Sequence, residues 1–226
     1  MERPLLSKLD SWANHEARVL EVVGLALKLL RDEDNLPTQE DGINRKLYFC
    51  IHRANYELSK VNKGLSCPPS YDSKNAPDAD DKERAQREDK RPDFVCGFYD
   101  FQESNPDKSA KHYVIECKRL GTNSGTWVLN TNYVVHGVCR FVNPEWGYGK
   151  SAKSGAMVGY IQDMKFEDIL KEVNAEIQKQ QLEAICLSTD GWKDSDVSNL
   201  VQYLTRPKIH PKNFCLQHLW LDIRNN

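Results

Sequence analysis

Apolar residues recur at helical spacing over 10–30, where Trp12, Val19, Val22, Val23, Ala26, Leu29 and Leu30 fall on neighbouring turns and predict an amphipathic-to-buried helix. RDEDNLP (31–37) stops it, because proline and the turn-prone charged residues before it cannot continue a packed helix. A second helix is predicted from Thr38: Thr38 and Asp41 match a capping signal, and Ile43, Leu47, Ile51, Ala54 and Leu58 follow at spacings of three and four. Stepping back three from Ile43 reaches Glu40, so this carboxylate is expected on the core-facing side of the first turn.

The pattern then changes. Residues 62–91 are dense in Pro, Asp, Lys and Arg and poor in large apolar groups, which predicts a mobile surface insertion with a short helix near 81–89. RPDFVCGFYDF (91–101) is aromatic and β-prone, 104–111 reads as a turn, and HYVIECKRL (112–120) is the clearest strand. Its period of two sends His112, Val114, Glu116 and Lys118 to one face and Tyr113, Ile115, Cys117 and Arg119 to the other. GTNSGT (121–126) reads as a loop, 127–142 as a helix, 143–155 as a Gly- and Lys-rich loop and 166–182 as a helix. Residues 183–188 read as a short buried strand and 213–224 as a final strand. The order α-α-β-β-α-α-β-α-β predicts a mixed α/β or α+β domain around one sheet. Residues 1–37 form its N-terminal helical extension and 38–142 its core.

Composition narrows the class. A chain of 226 residues with 39% hydrophobic and 28% charged residues can bury a core. No apolar run reaches the roughly 18–20 residues of a membrane span, and MERPLLSKLD carries no secretion-type apolar segment, so a soluble cytoplasmic protein is expected. Seven scattered cysteines without a CxxC pair predict reduced, mostly buried thiols rather than a disulfide framework or a structural zinc site. A net charge of −2 excludes a globally basic nucleic-acid footprint but not a local patch.

Candidate chemistry is concentrated in Pro92-Asp93 and in Glu116-Cys117-Lys118. If the strand opening at Asp93 pairs antiparallel with 112–120, two carboxylates and an ammonium converge at one edge. Carboxylates are the ligands that a hard, hydrated Mg²⁺ requires. The same residues can equally form an ordinary same-face ion pair worth about 0.2–1 kcal/mol. Apolar neighbours Val114, Ile115 and Cys117 make the strand central, where charge is costly without a partner. A phosphate patch could come from Lys111, Lys150, Lys153 and Arg140. GYGKS (147–151) superficially suggests a nucleotide-binding P-loop, but Pro144 stands where that motif needs its first glycine.

RPDFVCG (91–97), YVIECKR (113–119) and the acidic helix QEDGINRKLYFCIHRA (39–54) together resemble the PD-(D/E)xK nuclease superfamily, with its restriction-endonuclease-like fold. The resemblance implies a mixed central sheet flanked by helices and a metal-dependent nuclease, with DNA the expected substrate in restriction or anti-phage defence. It assigns catalysis to Asp93, Glu116, Lys118 and Glu40, and ligation of Mg²⁺, or Mn²⁺ in its place, to Asp93, Glu116, Cys117 and Glu40. The missing cationic surplus adds a homodimer or a partner protein that supplies substrate grip. A catalytically inactive structural subunit and an RNA-directed nuclease are the alternatives.

Overall fold

The computed structural model describes residues 11–75, 86, 88–194 and 196–224. Four helices and a seven-stranded mixed sheet make up an α/β architecture among these residues. The helices are α1 (Trp12–Arg31), α2 (Glu40–Ser59), α3 (Leu129–Val135) and α4 (Phe166–Lys179). The strands are β1 (Ser70–Tyr71), β2 (Phe94–Tyr99), β3 (Ala110–Leu120), β4 (Ser154–Ile161), β5 (Cys186–Leu187), β6 (Val197–Thr205) and β7 (Asn213–Asp222), in the spatial order β1-β2-β3-β4-β7-β6-β5. β3, β4 and β7 run parallel, and the outer pairs on both sides are antiparallel. No described helix is long and apolar enough to cross a membrane.

Each sheet face carries its own core. On one, α1 and α2 lay Val19, Val22, Leu27, Ile43, Leu47 and Ile51 over Ile115, Cys117 and Val158. Residues 1–37, expected as an extension, thus contribute α1 to the main core. On the other face, Tyr133, Val134, Phe166, Ile169 and Val173 pack over Val114, Leu120 and Met157. β3 therefore keeps the predicted alternation, apolar to α1/α2 and partly charged toward α3.

Several elements differ from expectation. The second helix begins at Glu40, not Thr38; its N-cap is Gln39, whose side chain makes no capping bond, and the Thr38 carbonyl instead accepts from Arg119 and Gln162. The predicted 127–142 helix spans only Leu129–Val135 and then a 3₁₀ turn, Val138–Phe141. It breaks at Gly137, where even a Cβ would lie 2.3 Å from the Tyr133 carbonyl oxygen and 2.5 Å from Met157 Cε. Helix 166–182 stops at Lys179. The predicted buried strand at 183–188 is a two-residue edge pairing with Cys186 exposed. β4 and β6 were not predicted, nor was β1, which lies inside the segment expected as an insertion. Residues 81–85 and 87 of the helix expected near 81–89 lie outside the described residues. All seven cysteines are free thiols, but only Cys50, Cys96 and Cys117 are buried.

A buried cation locks one end of the sheet. Arg206, fully buried, donates to the carbonyls of Phe141, Tyr148, Gly149, Ala152 and Pro211 and lies 3.8 Å over the Phe214 ring. The carbonyls take the place of a carboxylate partner, and burial lowers its pKa to about 10.

Candidate active site

Register brings the acids together. Phe94 pairs with Ile115, so Asp93, one residue before β2, falls beside Glu116, one residue further along β3. Glu116 shares the sheet face of Val95 and Val114, and Asp93 stands in the bend that leads into β2. α2 arrives from the other layer and adds two side chains one turn apart, Glu40 and Asn44. Asn44 Nδ2 donates to Asp93 Oδ1 at 3.0 Å, and the Cys117 backbone N–H donates to Asp93 Oδ2 at 2.7 Å. Tyr160 completes the support by donating to Asn44 Oδ1 at 2.8 Å. Both Asp93 oxygens are thereby fixed.

Lys118 is the hub. Its ammonium lies 2.7 Å from Glu40 Oε1, 2.7 Å from the Cys117 carbonyl oxygen and 2.9 Å from Glu116 Oε1. Three acceptors match its three N–H donors. Arg140, from the 3₁₀ turn after α3, pairs with the same Glu116 oxygen and stacks 4.1 Å over the Trp146 ring. Glu116 is fully buried, and its second oxygen, Oε2, has no hydrogen-bond partner. An orphaned carboxylate oxygen in a buried site is an open coordination position for a donor or a cation.

The electrostatics follow from crowding. Burial first, and then the charge of Glu116, push the Asp93 carboxyl well above its ordinary range; Lys118 and the Cys117 N–H counter this only in part. Burial also raises Glu116 against the pull of Lys118 and Arg140. For Lys118 burial disfavours the charge, but Glu116, Asp93 and Glu40 outweigh it and raise the ammonium above its ordinary value. Lys118 is a retained cation at neutral pH, not a free base.

The donor set suits a hard divalent cation, since two carboxylates and a carbonyl already direct oxygens at one cationic centre. Among the described residues, no group of three or more His, Cys, Asp or Glu side chains is gathered tightly enough to hold a metal by itself. Lys118 and Arg140 interleave the acids instead. A cleft of about 480 Å³ opens on this hub, with Glu40, Lys118, Arg119, Trp127, His136 and Arg140 in its wall.

The other expected residues part company. Arg140 reaches the site, whereas Lys111 starts the far end of β3, seven residues or roughly 23 Å from Lys118, and is paired with Asp100 at 2.5 Å. Lys153 precedes β4 at the level of His112, by extension of the Ile115–Ala156 pairing, and so belongs to that far end too. Lys150 sits in the 143–153 connection and is absent from the cleft wall. Sequence reasoning missed Asn44 and Trp146. The signal for Asn44 was a polar residue inside the apolar α2 stripe, four after Glu40; nothing local marks Trp146. No family model, curated protein or solved structure matches the chain.

Proposed function

We propose that this protein is a metal-dependent nuclease of the PD-(D/E)xK type, with a restriction-endonuclease-like fold, that hydrolyses phosphodiester bonds, with DNA the favoured substrate. The observation that carries the reading is the convergence of Glu40, Glu116 and the Cys117 carbonyl on one buried cation, beside Asp93 and an orphaned Glu116 oxygen. A folded chain gains little from burying two carboxylates side by side, and such clusters mark functional sites.

Asp93, Glu116, the Cys117 carbonyl and Glu40 are the groups that would hold Mg²⁺ or Mn²⁺. When bound, the ion supplies Lewis-acid polarisation of the phosphodiester and a water of lowered pKa. The chain's own side chains do the rest. Asn44 and the Cys117 N–H hold Asp93 in one orientation. Lys118, kept charged by its acids, would neutralise charge on the phosphorus centre, and would orient the attacking water once one of its three acceptors, Glu40, Glu116 or the Cys117 carbonyl, turns to the ion. Arg140, whose Nη1 already pairs with Glu116, would offer a remaining guanidinium N–H to a phosphate oxygen at the cleft wall. With a net charge of −2, substrate grip beyond the cleft comes from a second copy or a partner protein.

The test is nicking of supercoiled plasmid with Mg²⁺ or Mn²⁺. Wild type is expected to cleave, and Asp93→Ala and Lys118→Ala to lose at least about 100-fold. Unchanged cleavage in either variant overturns the assignment. The same pairing of Glu40 and Glu116 by Lys118 and Arg140 also favours a second reading, a nuclease-like subunit that works only as a structural element; wild type inert on plasmid, single-stranded DNA and RNA selects it.

A further inference from the structure

The cleft beside the acids is not walled by cations alone. Trp127 presents its indole there with 58% of the residue exposed. The ring does not hang on a loose loop: Ser124 and Trp127 exchange two backbone hydrogen bonds, at 2.9 and 3.0 Å, which close a tight turn and fix where the side chain starts. Around it stand Arg119, His136, Asn132 and the apolar side of Leu129. Arg119 donates to the Thr38 carbonyl at 3.3 Å and so is held at the rim. A second cavity of about 350 Å³ shares Gln39, Arg119 and Leu129 in its wall and continues past Thr122 and Asn123 to Arg224. The two adjoining cavities extend from Lys118 and Arg140, past the indole, to a wall of mixed polar and apolar side chains that includes Asp163, which Thr122 engages.

We propose that Trp127 is a stacking platform for an unpaired nucleobase, so that the substrate class of this site is single-stranded nucleic acid or a strand displaced from a duplex. The proposal rests on the nuclease reading for the phosphate chemistry next to it, but the stacking is a binding property of its own. An intact duplex hides both faces of every base inside the stack, whereas an unpaired base offers a face to an aromatic ring. Volumes of this size accept ligand-sized groups rather than a double helix. Arg119 and Arg140, in the same cleft wall as the ring, supply the backbone contacts that such strands need.

The test uses a fluorescein-labelled oligothymidylate and a blunt duplex of equal length, titrated by anisotropy with EDTA and again with Ca²⁺. Wild type is expected to bind the single strand at least tenfold more tightly than the duplex. Trp127→Ala should weaken single-strand binding by about 5- to 100-fold, and Trp127→Phe by no more than about threefold, because a smaller ring still stacks. Circular dichroism melts check that both variants fold, which an exposed position permits. Equal binding by wild type and Trp127→Ala, equal affinity for duplex, or no binding to either ligand overturns the proposal. Trp127-dependent binding without any metal-dependent cleavage leaves the stacking site standing and removes the nuclease reading. Cleavage of plasmid with no Trp127 effect does the reverse.

Discussion

His218 shows at single-residue scale how burial sets charge. It is fully enclosed on β7, with Nδ1 hydrogen-bonded to the Tyr133 hydroxyl at 2.7 Å; that hydroxyl oxygen accepts from Trp220 Nε1 at 2.9 Å. Its other nitrogen has no partner, and burial lowers its pKa from 6.5 to about 3. Above pH 6.5 the ring is neutral whether the chain is folded or not, and its contribution to stability is complete. As pH falls toward 3, only the unfolded chain takes up the proton, and stability is lost. By pH 5 this amounts to about 2 kcal/mol. Asp93 and Glu116, whose pKa values are raised, act in the opposite direction, so the informative quantity is a difference between proteins. Urea unfolding of wild type and His218→Gln at pH 7 and pH 5 is expected to show the smaller loss in the variant; equal losses would mean that His218 is not the buried proton acceptor.

At the scale of elements, β4 illustrates why some strands escape sequence reading. SGAMVGYI has no polar alternation because all eight residues are buried, and only its first two residues, Ser154 and Gly155, fell in a segment read as a loop. Yet the glycines are there for packing. A Cβ at Gly159 would lie 2.4 Å from Leu120 Cδ1 and 2.8 Å from Trp220 Cδ1. Gly159→Ala is therefore expected to destabilise by about 1–3 kcal/mol, through forced movement of a packed indole. Gly24 in α1 is the control: nothing lies within 4 Å of its Cβ position, and Gly24→Ala should stabilise by about 0.5–1 kcal/mol. Chemical unfolding of both variants checks the opposite signs. The shortened α3 has the same origin, since Gly137 allows the chain to turn against Met157 and bring Arg140 to Glu116.

For the whole molecule, the site joins parts of the chain that are far apart in sequence: the start of α2, the start of β2, the middle of β3 and the turn after α3. An ion held at such a site would couple its binding to global stability, because the unfolded chain does not bring these side chains together. If the nuclease reading holds, Mn²⁺ at about 100 times its dissociation constant adds about 2.7 kcal/mol, which in a chain of this size raises the melting temperature by roughly 5–10 °C. Calorimetry should show that shift in wild type, its reversal by EDTA, and its absence in Asp93→Ala. No shift in wild type, or one equally large in the variant, would mean that the ion does not bind these acids.

Periodicity was enough to place α1, the body of α2 and α4, because each buries one face and exposes the other, and runs of β-prone apolar residues were enough for most of β3 and β7, which are buried on both faces. It also put Glu116 and Lys118 on one face and aimed Glu40 toward them, since helix and strand geometry fix those directions locally. Only the folded chain decided that Asn44 and the Cys117 N–H clamp Asp93, that Arg140 rather than Lys111 or Lys153 reaches the site, and that Trp127 stands in the cleft wall. Those contacts depend on register between distant segments and on where a helix breaks, and both are set by what packs across the sheet rather than by neighbours in the sequence.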